Sequence, residues 1–254
     1  MSVTSTGPEK RTLADDAYTD LKSRIMRSEL APGAKLSIDG LAKQLAFSQT
    51  PIREALARLE SEGLLARRPL SGYTVAPLLS TAEFADLFDL RMMLEPLAAR
   101  RAAERATGGD VRGRAGARST PASGTGAAGP LETDDLLAAA LTPPPDADKL
   151  LFTEADRRFH NEVAALSGSV QIEKAIRRLD AHLHLHRAYI KPESIEETEA
   201  EHLAVAEAIV VRQPRAAEEA MRRHLERSRT RHAAAFSAVN GETAAKPKRA
   251  KAVR

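Results

Sequence analysis

Cysteine and tryptophan are both absent from the 254 residues, and aromatic residues amount to only 4%. Without thiols there is no disulfide framework, no Cys-ligated zinc finger, no iron–sulfur cluster and no thiol nucleophile. No run of about 18 apolar residues occurs. The opening MSVTSTGPEKR lacks the apolar stretch of a secretory leader. The expectation is a cytoplasmic protein with no membrane partner. A large charge of one sign is missing as well: the formal net charge is +3, which rules out a blanket polycation but leaves room for local basic surfaces. What is present, 43% hydrophobic and 29% charged residues, suffices for a core in one large or two small domains.

Composition shifts divide the chain. Residues 1–11 are polar and aperiodic and are expected to form a disordered arm. A dense, regular pattern runs over 12–78. Residues 81–106 then place Phe84, Leu87, Phe88, Arg91, Leu94 and Ala98 at helical spacing. The stretch 107–130 holds seven of the fourteen glycines and one large aliphatic residue, Val111, too little apolar surface to offset ordering entropy. Further helices are expected over 131–141, 148–167, 169–190, 195–212 and 214–239, and a basic disordered tail over 240–254.

Within the first segment, Leu13, Ala17, Leu21 and Ile25 recur every four residues as a buried stripe. Ser37 is placed to cap a second helix carrying Leu41 and Leu45. Phe47-Ser48-Gln49-Thr50-Pro51 reads as a tight turn into a third helix, with proline suited to its first turn. That helix buries Ile52, Ala55, Leu56 and Leu59, shows Gln49, Thr50, Arg53 and Arg58 outward, and closes at Gly63. LLARR and YTVAP then read as two strands around a turn at 69–72, a β-wing. Two short helices joined by a tight turn, the second opening on polar and cationic residues, suit a major groove. The N–H groups at that helix start suit phosphate.

All seven histidines follow residue 159. Asp156 and His160 are four apart on one predicted helix and share a face. His202 and His224 lie on two later helices, so a bundle can gather one carboxylate and three imidazoles. Such a donor set suits a divalent transition metal: zinc, nickel, manganese or iron. Spacing alone equally describes solvated or core histidines. In HLHLH, His182 and His186 share a face while His184 points away, and ordinary partly buried histidines are expected there. His232 is expected at the surface. Arg91 faces inward, where it either meets a ligand or pairs with Glu95 one turn on.

The run PGAKL…LAKQLAFSQTPIREALARLESEGLL…GYTV resembles the winged-helix signature of the GntR family of bacterial transcription regulators, over about residues 13–77. DRRFH, EHLAVAEAI and AMRRHLERS are similar to the metal-bearing segments of the all-helical FCD domain, which follows the winged helix in the FadR subfamily. The resemblance implies a mainly α protein: an N-terminal winged helix-turn-helix at 12–78, then an all-helical effector-binding and dimerisation domain at 80–239. Position by position, it puts Ser48, Gln49, Thr50 and Arg53 on DNA and Gly72 near the wing tip. Gln49 stands where the family commonly has arginine, and glutamine can read adenine through N6 and N7. Asp156, His160, His202 and His224 are implied as metal ligands, and Arg91 as the partner of a small organic acid. The implied protein is a homodimeric repressor on a double-stranded operator, not an enzyme.

Two rivals start from the same residues. A metal with open positions activates water in hydrolases. Against that, Glu162 and Glu201, the carboxylates nearest in sequence, both read as solvent-facing. A purely structural metal would tie the bundle together without any response to acids.

Overall fold

The computed structural model describes residues 11–68, 72–106, 133–141, 143, 149–188 and 193–244. Residues 1–10, the stretch 107–130 and residues 245–254, three regions expected to be disordered, lie outside the described residues. Two compact units emerge. One lies within Met1–Leu78 and also takes in Leu183–Arg187; the other comprises Leu79–His182 and Ala188–Arg254.

In the first unit, α1 (Leu13–Met26) starts at a capping box: the Thr12 hydroxyl accepts from Asp15 N–H, and Asp15 reaches back to Thr12 N–H. It packs on α3 (Gln49–Ser61), which α2 (Ile38–Leu45) precedes. Ser37 caps α2 as expected, accepting from Gly40 N–H at 3.2 Å. Ala46 takes the left-handed conformation (φ 55°), which ends α2 and turns the chain into α3. Behind the helices lies a three-stranded antiparallel sheet of order β1-β3-β2, with β1 (Lys35–Leu36), β2 (Leu65–Arg68) and β3 (Gly72–Val75). Arg68 pairs with Gly72 and Lys35 with Thr74. The two-residue β1 is too short to leave a periodic trace in sequence. Arg58, expected to face outward, is exposed, and it also stacks over the Tyr18 ring and bonds Asp15 at 2.6 Å, fastening α3 to α1.

The second unit is helical: α4 (Thr81–Arg105), α5 (Thr133–Ala140), α6 (Lys149–Leu166), α7 (Val170–Leu179), α8 (Ala181–Ala188), α9 (Glu193–Val210) and α10 (Pro214–Ala244). Pro214 opens α10, where a missing N–H costs nothing. α10 packs along α4 and α9, α4 also meets α6, α7 and α9, and α5 lies on α6 and α9. Phe159, Val163, Leu136, Val205, Met221 and Leu225 fill the core between them.

Three expectations need correction here. The single helix expected over 169–190 is two, because Asp180 adopts a left-handed conformation (φ 41°) tied by Arg157 Nε at 3.0 Å. The last helix runs on to Ala244, so its first five residues past 239 are helix, not tail. His232 is buried, its Nδ1 donating to the Ser228 carbonyl at 2.8 Å, since α10 remains packed beyond the site. Of α8, Leu183–Arg187 belong to the first unit. There Arg187 donates to the Ala76 carbonyl at 2.6 Å and to the Pro77 carbonyl at 3.4 Å. His184 lies beside Gly63.

Candidate metal centre and nucleic-acid interface

His160 on α6, His202 on α9 and His224 on α10 come together in the buried interior of the second unit, with ligand atoms within 4.8 Å of one another. Asp156, one turn before His160, places Oδ1 3.2 Å from His202 Nε2 and 3.5 Å from His160 Nε2. His202 is stacked on Phe159, ring centroids 4.0 Å apart, which fixes its plane. His160 and His224 are oriented by carboxylates. Glu95 on α4 accepts from His160 Nδ1 at 2.5 Å, and Glu201 on α9 from His224 Nδ1 at 2.8 Å. A proton fixed on Nδ1 leaves the Nε2 lone pair for another partner, the arrangement by which a carboxylate orients a metal-ligating histidine. His160 Nε2 and both ring nitrogens of His202 have no hydrogen-bond partner among the described residues. Buried polar atoms in that state call for a ligand.

Charge makes the same demand. Glu95 is also bonded by Arg91 Nε at 2.6 Å, and Glu201 by Arg231 Nη1 at 2.9 Å and Nη2 at 2.8 Å. Asp156, whose carboxylate faces the imidazoles of His160 and His202, brings a negative charge to the centre that a divalent cation would offset. Each pKa reflects this. Burial opposes ionisation of Glu95, yet Arg91 and His160 hold its carboxyl well below the usual range. Burial likewise works against Glu201, but Arg231 and His224 bring it down to about 2. Burial pushes His202 down and His224 to about 3, keeping both imidazoles neutral. His160 is raised, because Glu95 and Asp156 outweigh its burial. The donor set fits a divalent transition metal: neutral imidazoles, one carboxylate and positive charge wanted at the centre.

Sequence reasoning brought Asp156, His160, His202 and His224 to one place and missed three neighbours. Glu201, expected to face solvent, is buried. Glu95 serves His160 from 65 residues away. His182, expected to be an ordinary histidine, lies over His160 with ring centroids 4.4 Å apart and joins Asp156 and His160 within ligand range. Arg91 meets both Glu95 and, through Nη2, His182 Nε2 at 3.1 Å.

In the first unit, Ser48, Gln49, Thr50 and Arg53 are all exposed at the start of α3. Ser48 occupies the N-cap position, but its hydroxyl makes no capping hydrogen bond. The hydroxyl and the first N–H groups of α3 are therefore presented together to an anion. Arg53 Nη2 donates to Gln49 Oε1 at 3.2 Å, and Gln49 Nε2 to Asp39 at 2.5 Å, so the two form one exposed polar row. Gly72 opens β3 with φ +78°, and a Cβ there would stand 3.2 Å from the Leu36 carbonyl oxygen. Residues 69–71 lie outside the described residues.

Comparison with known proteins covers both segments. Residues 13–75 match the bacterial regulatory proteins of the gntR family, and residues 128–227 match the FCD domain. The chain is 30% identical over 222 residues to the HTH-type transcriptional repressor GlaR of Escherichia coli, covering 83% of this chain and 91% of that protein. It is 30% identical over 156 residues to the Nta operon transcriptional regulator of Aminobacter aminovorans, covering 61% and 64% of the two chains. The solved structure of E. coli McbR/YncC shares the fold with a TM-score of 0.59 at 23% identity, over 91% of this chain and all of that one. Among the described residues no helix is long and apolar enough to cross a membrane. With an exposed helix start and wing in one unit and a buried donor cluster in the other, the chain belongs to the GntR family, carries an FCD domain after its winged helix, and is a DNA-binding regulator of transcription.

Proposed function

We propose that the protein is a cytoplasmic homodimeric repressor whose helical domain binds a small carboxylic acid beside a divalent transition metal. The observation that carries the reading is the meeting of His160, His202 and His224 from three helices, with Glu95 and Glu201 fixing two of the rings. Asp156 and the three histidines would hold zinc, nickel, manganese or iron. When bound, the metal supplies a Lewis-acidic point for a carboxylate oxygen. Arg91 supplies a guanidinium for the same anion. Ser48, Gln49, Thr50, Arg53 and Gly72 would face the operator, with backbone N–H groups of α3 on phosphate and side chains on base edges.

Dimerisation is supported by an apolar stripe on α4. Leu90, Met93 and Leu97 are 40%, 62% and 37% exposed at spacings of three and four residues, one continuous face left to water. A second copy meeting that face would place two recognition helices on half-sites of a pseudo-palindrome.

The carboxylates argue against a hydrolase. Glu95 and Glu201 are each bound by an arginine and a histidine N–H and are held ionised, whereas a general base needs a pKa near the working pH. The test is metal analysis of purified parent and His202→Ala protein, with a melting-temperature screen of small organic acids. The parent should carry one metal per chain, the variant much less, and an acid should raise the parent's melting temperature. Equal metal in both proteins would remove His202 from the ligand set. Metal without any acid response would leave a structural ion.

A further inference from the structure

Arg91 is 1% exposed and enclosed by side chains that include Glu95 and His182. A void that touches Glu95 and His182, though not Arg91 itself, measures about 10 Å³, no more than one water occupies. An acid reaching the guanidinium has to replace a side chain, and the contacts identify which. Glu95 is bound by Arg91 and His160 at once and cannot leave without stranding two buried donors. His182 is held differently. A guanidinium only donates, so Arg91 Nη2 at 3.1 Å uses the lone pair of a neutral imidazole. Its Nε2 also stands 3.8 Å from Asp156 Oδ2, and its ring lies on His160. The imidazole therefore fills the space between Arg91 and the Asp156–His160 pair.

We propose that His182 is the specificity-determining cap of the acid site, occupying the place of the ligand's carboxylate on Arg91 until a small monocarboxylate displaces it. This rests on the acid-binding reading above. A carboxylate is the better acceptor, since it can take two parallel N–H donors of the guanidinium where the imidazole takes one. The charge inventory selects the ligand class. With a divalent cation bound, the buried cluster of two guanidiniums and three carboxylates carries one positive charge. A monocarboxylate cancels it, and a dicarboxylate would reverse it.

Isothermal titration of glycolate, L-lactate and citrate into full-length, zinc-loaded parent, His182→Ala and His182→Gln proteins tests the proposal, with zinc stoichiometry measured on each. His182→Ala should bind glycolate and L-lactate about tenfold more tightly than the parent, the gain of removing a competing hydrogen bond. His182→Gln, whose amide oxygen still accepts from Arg91, should stay near the parent value. Zinc content should be the same in all three. Equal or weaker monocarboxylate binding by His182→Ala overturns the cap, as does loss of its zinc, which would make His182 a ligand. Citrate binding more tightly than the monocarboxylates overturns the charge argument. If neither parent nor His182→Ala binds any of the acids, the acid-sensing reading fails and the cap falls with it; acid binding that His182→Ala leaves unchanged overturns the cap alone.

Discussion

Replacing Glu95 by glutamine separates the two tasks that this carboxylate performs. Its Oε1 accepts from Arg91 Nε at 2.6 Å, and its Oε2 accepts from His160 Nδ1. An amide has one oxygen and one NH2. Arg91 has no lone pair to offer, so it takes the oxygen, and the NH2 is left facing His160 Nδ1. That nitrogen must then accept, which moves the ring proton to Nε2, the atom aimed at His202, His224 and Asp156. Two losses follow. Uncoupling a buried ion pair costs about 3–5 kcal/mol. Losing the carboxylate behind a ligating histidine costs roughly 10–100-fold in metal affinity. At about 2–4 °C per kcal/mol for a chain of this size, the metal-free variant should melt about 6–20 °C below the parent. Calorimetry on metal-free protein reads the first loss, and zinc titration against a chromophoric chelator reads the second. A zinc affinity within a factor of about two of the parent, which is under about 0.5 kcal/mol, would refute the tautomer argument. An unchanged melting temperature would refute the ion-pair argument.

Three further outcomes are expected. Arg53→Ala should weaken operator binding by roughly 1–3 kcal/mol at matched salt, and an unchanged gel-shift midpoint would remove Arg53 from the interface. Met93→Asp should halve the mass seen by light scattering, because it puts a charge in the middle of the exposed α4 stripe; an unaltered mass places the dimer contact elsewhere. Metal-free protein should be most stable near pH 6.5. His224 is held at about 3 and Glu201 at about 2, below their ordinary 6.5 and 4.5. Their contributions are complete above those unfolded values and are lost as pH falls towards the folded ones. His160 is raised, so its contribution is complete below 6.5 and is lost as pH rises through its folded pKa. A melting temperature that stays flat from pH 6.5 to 4 would contradict the burial of His224.

What could be read from the sequence follows how each group is connected. Asp156 and His160 are one helical turn apart, and local geometry alone puts them on one face. The winged helix was legible for the same reason, since its caps, turn and stripe are all local. Glu95 was not legible as His160's partner, because nothing local joins α4 to α6. Glu201 was misjudged because helical periodicity assumes one buried stripe, whereas α9 is covered by α4, α5 and α10 together. Neighbours 100° apart on such a helix are both buried, and so Glu201 and His202 both reach the centre. The break at Asp180 lacked the usual signal of glycine or proline. Aspartate tolerates the left-handed region, and its Arg157 partner was not evident from sequence.

The side chains around the centre bear on whether it reacts or binds. Every carboxylate near it other than Asp156 already serves an arginine and an imidazole N–H, so each orients a ligand rather than carrying protons. His202 and His224, buried and kept neutral, suit a metal as donors, while Glu95 and Glu201 are held ionised by their partners. A groove of about 920 Å³ between α9 and α10 meets the centre at His224, Glu201 and Arg231, groups engaged with one another. On the proposed reading, such a site exchanges one anion for another acceptor on a fixed guanidinium, and its output is a change in which helices are held together. A ligand moves that equilibrium only through its unequal affinity for the two arrangements. Here the inequality has a location: a neutral imidazole on Arg91 in one arrangement, a charged carboxylate in the other.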